Sequence, residues 1–268
     1  MPSQFSAIGF SITSGEDLAA LASRVAGDAE RITTPAGEYL KWAPSSGEQL
    51  WLQITRDGDA MGMSAHFAGK SAMRVAVEAR VARPTHTPLD GTFLAWANPP
   101  AGAATGGDYP FAFDCPDAAT LHDLALPATV TAQLAAFAQQ VSVYDSEAAY
   151  ASSQAAEGIS TPSRSFIPSG LISPGGEPLN PPEPHALIAG HVLESAVCVN
   201  AVSGLHYWWA LLDTVGGTFD VVIDPELLPA PPRAGSVLAG WFWLSGRLLT
   251  GAPAKKAPSG WLQRLVGR

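Results

Sequence analysis

The sequence predicts an α+β protein, mostly antiparallel β: an N-terminal βαβββ unit followed by two related, small β-barrel-like units, with an OB-like barrel as one option. Three observations carry this. A single amphipathic helix pattern stands near the N-terminus, short runs with period-two alternation dominate the remainder, and residues 73–145 and 186–249 repeat one order of strand, turn and proline signals.

The first unit spans residues 1–69. Phe5, Ile8 and Phe10 form a short apolar run that predicts an opening strand. Ser14 followed three residues later by Asp17 is a capping-box signal, in which a hydroxyl accepts from the third helical N–H and an acid reaches back. Leu18, Leu21, Ala22 and Val25 then share one helical face, and Gly27 is the expected stop. Leu40 and Trp42, residues 50–54 and residues 60–67 give three strands, parted by turn-rich residues 44–47 and 56–59.

The first barrel-like unit spans 70–158. Met73–Val81 alternates cleanly, as a half-buried strand does. Strands are expected at 92–96 and 109–113, while 130–144 reads as a strand whose Ala- and Gln-rich centre also suits a helix. Residues 159–184 follow as a strap or linker. Seven of the 25 residues in 160–184 are proline, which lacks the ladder donor, and Phe166, Ile167, Leu171 and Ile172 favour a strap packed on the body.

The second barrel-like unit spans 185–250. Its 186–194 strand parallels Met73–Val81, Ser203-Gly204 parallels Asp90-Gly91, and Asp224-Pro225 parallels Cys115-Pro116. Leu228-Pro229 likewise parallels Leu126-Pro127. Gly216-Gly217 signals a hairpin, and 237–244, apolar on both faces, is expected to be buried on both. Residues 251–268 form a basic amphipathic tail: Lys255, Lys256, Arg264 and Arg268 surround Trp261, Leu262, Leu265 and Val266.

Charge narrows the function. The 268 residues carry 15 Lys+Arg against 24 Asp+Glu, a net charge of −9 that repels phosphate, so no nucleic-acid partner is expected. Residues 91–184 hold nine acids and one base, Arg164, which suits a cationic partner. Cys115 and Cys198 stand far apart with no C-x-x-C and read as reduced thiols. No signal-like N-terminus and no apolar run of ~18–20 residues is visible, so the expectation is a cytoplasmic protein without a membrane span.

Motifs for chemistry are sparse. Gly69-Lys70-Ser71 lacks the upstream glycine of a phosphate loop and reads as a turn. His185, His191 and Glu194 form H-x5-H-x2-E. On a strand the two histidines stand ~20 Å apart at ~3.3 Å per residue, too far to share an ion held at ~2.1 Å, so no metal and no cofactor is expected. His191 and His206 could meet across a hairpin. Asp114 and Asp117, with His122 and Asp123, form an acidic loop in which Asp117 is expected to cap the following segment. His191, His206, Asp114 and Asp117 are therefore the candidate catalytic groups. Tyr207, Trp208, Trp241, Trp243 and Trp261 are the candidate binding residues, because outward aromatics on a sheet dock proteins or stack ring ligands.

Neither G-x-S-x-G nor H-E-x-x-H occurs. The leading expectation is a non-enzymatic, partner-binding protein of the adaptor or inhibitor/immunity type, its partner another protein. The first alternative is an enzyme acting on a small molecule in a cleft between the units, with the His and Asp groups as acid and base. The second is a single-stranded nucleic-acid binder, which requires a basic groove beside the aromatic strands.

Overall fold

The computed structural model describes residues 3–158, 160–173 and 175–249, so the basic tail with Trp261 lies outside the described residues. The protein is α+β and mostly antiparallel, with one four-stranded and one nine-stranded sheet.

The N-terminal unit departs from the expected βαβββ order. Phe5, Ile8 and Phe10 do not make a strand: a 3-10 turn covers Ser6–Ile8 and closes on Gly9, whose φ of 81° suits glycine. Ala7, Ile8 and Phe10 are buried against neighbouring strands, so this apolar run serves as a plug and pairs with no sheet. Helix α1 (Gly15–Val25) starts as its capping box requires: Ser14 Oγ accepts from Asp17 N at 3.1 Å, and Asp17 Oδ2 accepts from Ser14 N at 2.9 Å. Four strands follow where three were expected: β1 (Glu30–Thr34), β2 (Gly37–Trp42), β3 (Glu48–Ile54) and β4 (Ala60–Phe67), paired in that order. The additional strand, β1, is a short edge strand whose only large apolar residue is Ile32, so it carries little alternation to read.

The large sheet contains β5 (Met73–Val81), β6 (Thr92–Ala97), β7 (Pro110–Asp114), β8 (Ala128–Tyr144), β9 (Ser165–Ile167), β10 (His185–Val199), β11 (His206–Thr214), β12 (Gly217–Ile223) and β13 (Val237–Leu248). Its ladder makes two circuits. From β8 it runs through β5, β6, β7 and β13 back to β8; from β8 it also runs through β12, β11, β10 and β13 back to β8. β8 and β13 belong to both and pair from Val237↔Tyr144 to Leu248↔Ala132. Neither circuit closes on its own segment, because each third strand runs parallel to the fourth strand of the other segment, at Asp114↔Ser245 and at Val222↔Phe137. The pairing pattern is the same in both segments. Both first strands even carry a bulge, at Val77/Ala79 and at Val192/Glu194.

Double pairing settles the ambiguous 130–144 stretch. Ala132, Ala135, Ala136 and Ala138 favour a helix by intrinsic propensity, yet β8 offers both edges to neighbouring strands, and those ladders outweigh a few tenths of a kcal/mol per residue. Phe93, Phe111, Phe113, Phe219, Phe242 and Leu244 fill the interior. On the outer face the N-terminal unit sets Ile8, Phe10, Leu50 and Phe67 against Phe137, Tyr207, Trp209 and Val222. The strap does join the sheet, for the three residues of β9, which lie in the proline-free interval between Pro162 and Pro168. Phe166 is held between Tyr109, stacked at 4.1 Å, and Phe219 at 5.8 Å, while Ile167 and Ile172 stay exposed. A second helix, α2 (Glu147–Ala156), was not expected; its Ala- and Ser-rich sequence buries only Tyr150.

Candidate functional site

A cavity of about 260 Å³ opens where β4, the β5–β6 connection, the end of β7 and β13 meet. Ser64, Arg83, His86, Asp90, Asp114, Trp243 and Ser245 are among its lining residues. An adjoining hollow of about 470 Å³ shares Arg83, His86, Asp90 and Gly91 and continues along Val81, Pro88, Ala118 and Ala119. Strand alternation places the key groups. Phe111 and Phe113 of β7 face the core, so Asp114 faces away from it into the cleft. Trp243 and Ser245, two residues apart on β13, share the cleft face.

Asp114 accepts the Thr92 hydroxyl on Oδ1 at 2.5 Å. Burial raises its carboxyl above the usual carboxylate range, while the Thr92 bond, Arg83, His86 and the Trp243 indole N–H pull it down more weakly. The Trp243 indole N–H is directed at this carboxylate but stays beyond normal hydrogen-bond geometry. Three buried polar atoms on the cleft wall have no partner among the described residues: Ser64 Oγ, Arg83 Nε and Trp243 Nε1. The same is true of Ser169 Oγ in the strap. Arg83 is held in place from its other end, where its guanidinium donates to Pro182 O at 2.5 Å. Asp90, by contrast, is engaged by Gln53 Nε2 at 2.6 Å and Thr87 N at 2.8 Å.

Ser245 also belongs to a buried relay. Gln133 Nε2 donates to Asp220 Oδ2 at 2.8 Å and to Phe67 O at 3.0 Å, so its oxygen faces His66 Nε2 at 2.8 Å. That nitrogen must carry the imidazole proton, leaving Nδ1 to accept from Ser245 Oγ at 2.8 Å. A serine donating to a histidine resembles an activated nucleophile, but the energetics point elsewhere. Burial, with Arg247 adding to it, lowers the His66 pKa to about 4, and a neutral amide stands where a carboxylate would stabilise imidazolium. The relay is a structural tie. At its far end Asp220 accepts Lys70 N at 2.9 Å, Ser71 N at 2.8 Å and Trp209 Nε1 at 2.9 Å. The Gly69-Lys70-Ser71 turn thus wraps a carboxylate of its own chain, and a Cβ on Gly69 would lie 2.1 Å from Asp220 Oδ1.

Of the residues singled out from the sequence, Asp114 alone among the four catalytic candidates lines the cleft. Asp117 does not cap the turn after it. Its side chain accepts Arg247 Nε at 2.8 Å, Arg247 Nη2 at 2.7 Å and the Cys115 thiol at 3.2 Å, a buried structural set. His191 pairs opposite Asp213 and sits 3.1 Å from Ser163 Oγ, whereas His206 pairs opposite Val199 at the other end of that ladder, so the two histidines do not meet.

The aromatic strands are largely enclosed. Tyr207 is fully buried and donates to Glu48 at 3.0 Å, and Trp208 is buried with its indole on Leu228 O at 3.2 Å. Neither is an outward platform, because the N-terminal unit covers one face of β11 and the core takes the other. Trp241 and Trp243 are partly buried and flank His185 at 4.8 and 4.6 Å. Arg83, His86 and Ser64 carry no motif spacing in the sequence; they lie in two separate stretches, β4 and the β5–β6 connection. Among the described residues no group of three or more His, Cys, Asp or Glu could hold a metal ion, and no helix is long and apolar enough to cross a membrane.

The chain matches no protein-family model, no curated protein and no solved structure. At the β12–β8 junction, Val222, Phe137 and Ala135 are buried in one apolar cluster with Ile8 and Phe10. At the corresponding β7–β13 junction, Asp114 and Ser245 line a polar cavity.

Proposed function

We propose that the protein binds a small polar molecule in the cleft at the β7–β13 junction, with Asp114 as its acid–base group. The observation that carries this is the set of buried, unpartnered polar atoms at Ser64, Arg83 and Trp243 around a carboxyl whose pKa burial has raised. Each buried polar group left unsatisfied costs ~1–3 kcal/mol, a large fraction of a net stability of ~5–15 kcal/mol. At the Val222–Phe137 junction Ile8 and Phe10 pack on apolar side chains and the buried Asp220 carboxylate is satisfied by four N–H groups, so the unpartnered polar atoms of the other junction are a departure that a ligand explains. In this reading residues 73–145 and 186–249 are two copies of one barrel-like unit; the N-terminal plug fills the junction of one and leaves that of the other open.

A library of small polar metabolites tested by thermal shift and native mass spectrometry checks the reading. At least one compound is expected to raise the melting temperature of the wild type, and Asp114→Asn and Trp243→Phe are expected to lose that response. A full library without a binder would reject it.

One observation favours docking of a partner protein as a second reading. Leu193, Val197 and Val199 on β10, with Leu205 in the following turn, are exposed apolar side chains, and β10 beyond Val192 pairs with β11 alone. An open strand edge with apolar side chains is a template for an added strand. A partner captured by the wild type should be lost by the Val197→Lys, Val199→Lys double variant; retention of the same partner counts against this face.

A further inference from the structure

The cleft presents mixed hydrogen-bonding character, and that mixture narrows the ligand. Thr92 engages one Asp114 oxygen, while Oδ2 takes no hydrogen bond from a described residue. Arg83 Nε and Trp243 Nε1 are pure donors, buried without a partner among the described residues, and both belong to residues that line the cleft. An anionic ligand would satisfy those donors but meet the Asp114 carboxylate. A cation would satisfy Asp114 but meet the Arg83 guanidinium and leave both donors unpaired. A hydroxyl resolves the conflict, because it donates once and accepts twice.

The walls add a shape. The Trp243 ring is partly buried beside His185, so it offers an apolar surface next to its own N–H. About 260 Å³ lies below the ~300–1,000 Å³ of drug-sized sites and suits one ring. Resting on the small-molecule reading above, we infer that the ligand is a neutral, hydroxyl-rich ring compound of monosaccharide size. Asp114 Oδ2 accepts from one hydroxyl, and Trp243 Nε1 and Arg83 Nε donate to the oxygens of neighbouring hydroxyls.

The charge state of Asp114 separates this class from its main rival. A hydroxyl donor needs the carboxylate, so sugar affinity falls as pH drops through the Asp114 pKa. A carboxylate ligand behaves in the opposite sense and tightens as Asp114 takes up a proton. The other titratable groups facing the site are Arg83, His86 and Asp90 on the β5–β6 connection and Cys115 next to Asp114; β4 and β13 contribute Ser64, Trp243 and Ser245, none charged.

The test uses the full chain labelled with nitrogen-15, reading the indole N–H cross-peak of Trp243 identified by its loss in Trp243→Phe. Aldohexoses, aldopentoses and inositol are titrated in one series, and acetate, pyruvate, succinate and glutamate in the other. At least one neutral compound is expected to move the Trp243 peak saturably, with affinity at least tenfold weaker in Asp114→Asn or, should that variant lose its folded spectrum, in Arg83→Gln. Movement by carboxylates alone, tightening toward low pH, overturns the hydroxyl assignment and leaves the small-molecule reading standing. No movement in either series overturns the hydroxyl assignment, and the small-molecule reading falls with it only where the wider metabolite library also yields no binder.

Discussion

Replacing Asp220 by Asn alters one atom of a side chain with no solvent exposure, so it reads the hydrogen-bond network directly. The carboxylate accepts four N–H groups: Lys70 N and Trp209 Nε1 on Oδ1, Ser71 N and Gln133 Nε2 on Oδ2, all at 2.8–2.9 Å. Asparagine keeps one accepting oxygen and turns an NH2 toward the other two donors. Two charge-assisted bonds are lost, at ~1.5–3 kcal/mol each, for a total of about 3–6 kcal/mol. In chains of this size ~1 kcal/mol lowers the melting temperature by ~2–4 °C, so the expected fall is about 6–24 °C. Thermal unfolding followed by circular dichroism measures it, with Asp57→Asn in an exposed turn as the control expected to melt with the wild type. A fall below ~2 °C for Asp220→Asn would refute the view that this carboxylate ties the 69–71 turn, β8, β11 and β12 together.

Three further outcomes follow from the same packing. The His66 pKa lies at about 4 in the fold against 6.5 for the free side chain, so between those values the unfolded chain takes up a proton the native state resists. Stability is then complete above about pH 6.5 and declines on acidification, and the stability difference between wild type and His66→Gln should shrink by ~3 kcal/mol from pH 7 to 4; a constant difference contradicts this. Phe166→Ala removes the ring stacked on Tyr109 and Phe219 and should cost ~3–5 kcal/mol in urea unfolding, a loss under ~1 kcal/mol showing that the strap is fastened elsewhere. Gly170→Ala would set a Cβ 1.9 Å from Glu183 O, where Gly170 N also bonds His185 O at 3.0 Å, so limited proteolysis within 168–184 should accelerate; an unchanged cleavage rate argues that the strap absorbs the methyl group.

Local signals translated into local structure. The Ser14–Asp17 capping box opens α1, the alternation of Met73–Val81 becomes β5, and Gly216-Gly217 turns β11 into β12, because each depends on neighbours within a few residues. Phe5, Ile8 and Phe10 show where such reading stops: an apolar run says that a segment is buried, and only Tyr207, Phe137 and Val222 on distant strands decide that it is a plug and not a strand. The aromatic residues of β11 were legible as aromatic and alternating, but whether they face water depended on the N-terminal unit that covers them.

The cleft lies at the far end of this scale. Asp114 stood out as an acid after a strand, yet Ser64, Arg83, Trp243 and Ser245 come from three other stretches of the chain and carry no spacing to read. The sequence by itself determined a mostly antiparallel β protein with one capped N-terminal helix, and pointed to a common strand order in two segments, residues 73–145 and 186–249. Tertiary structure alone decided that these segments close through each other's last strands, and that one junction is packed while the other holds a polar cavity. The physical reason is range: capping and alternation are set by bonds a few residues apart, whereas a circuit of strands and the hollow beside it exist only after residues 85 positions apart at one junction (Val222 and Phe137) and 131 apart at the other (Ser245 and Asp114) have paired.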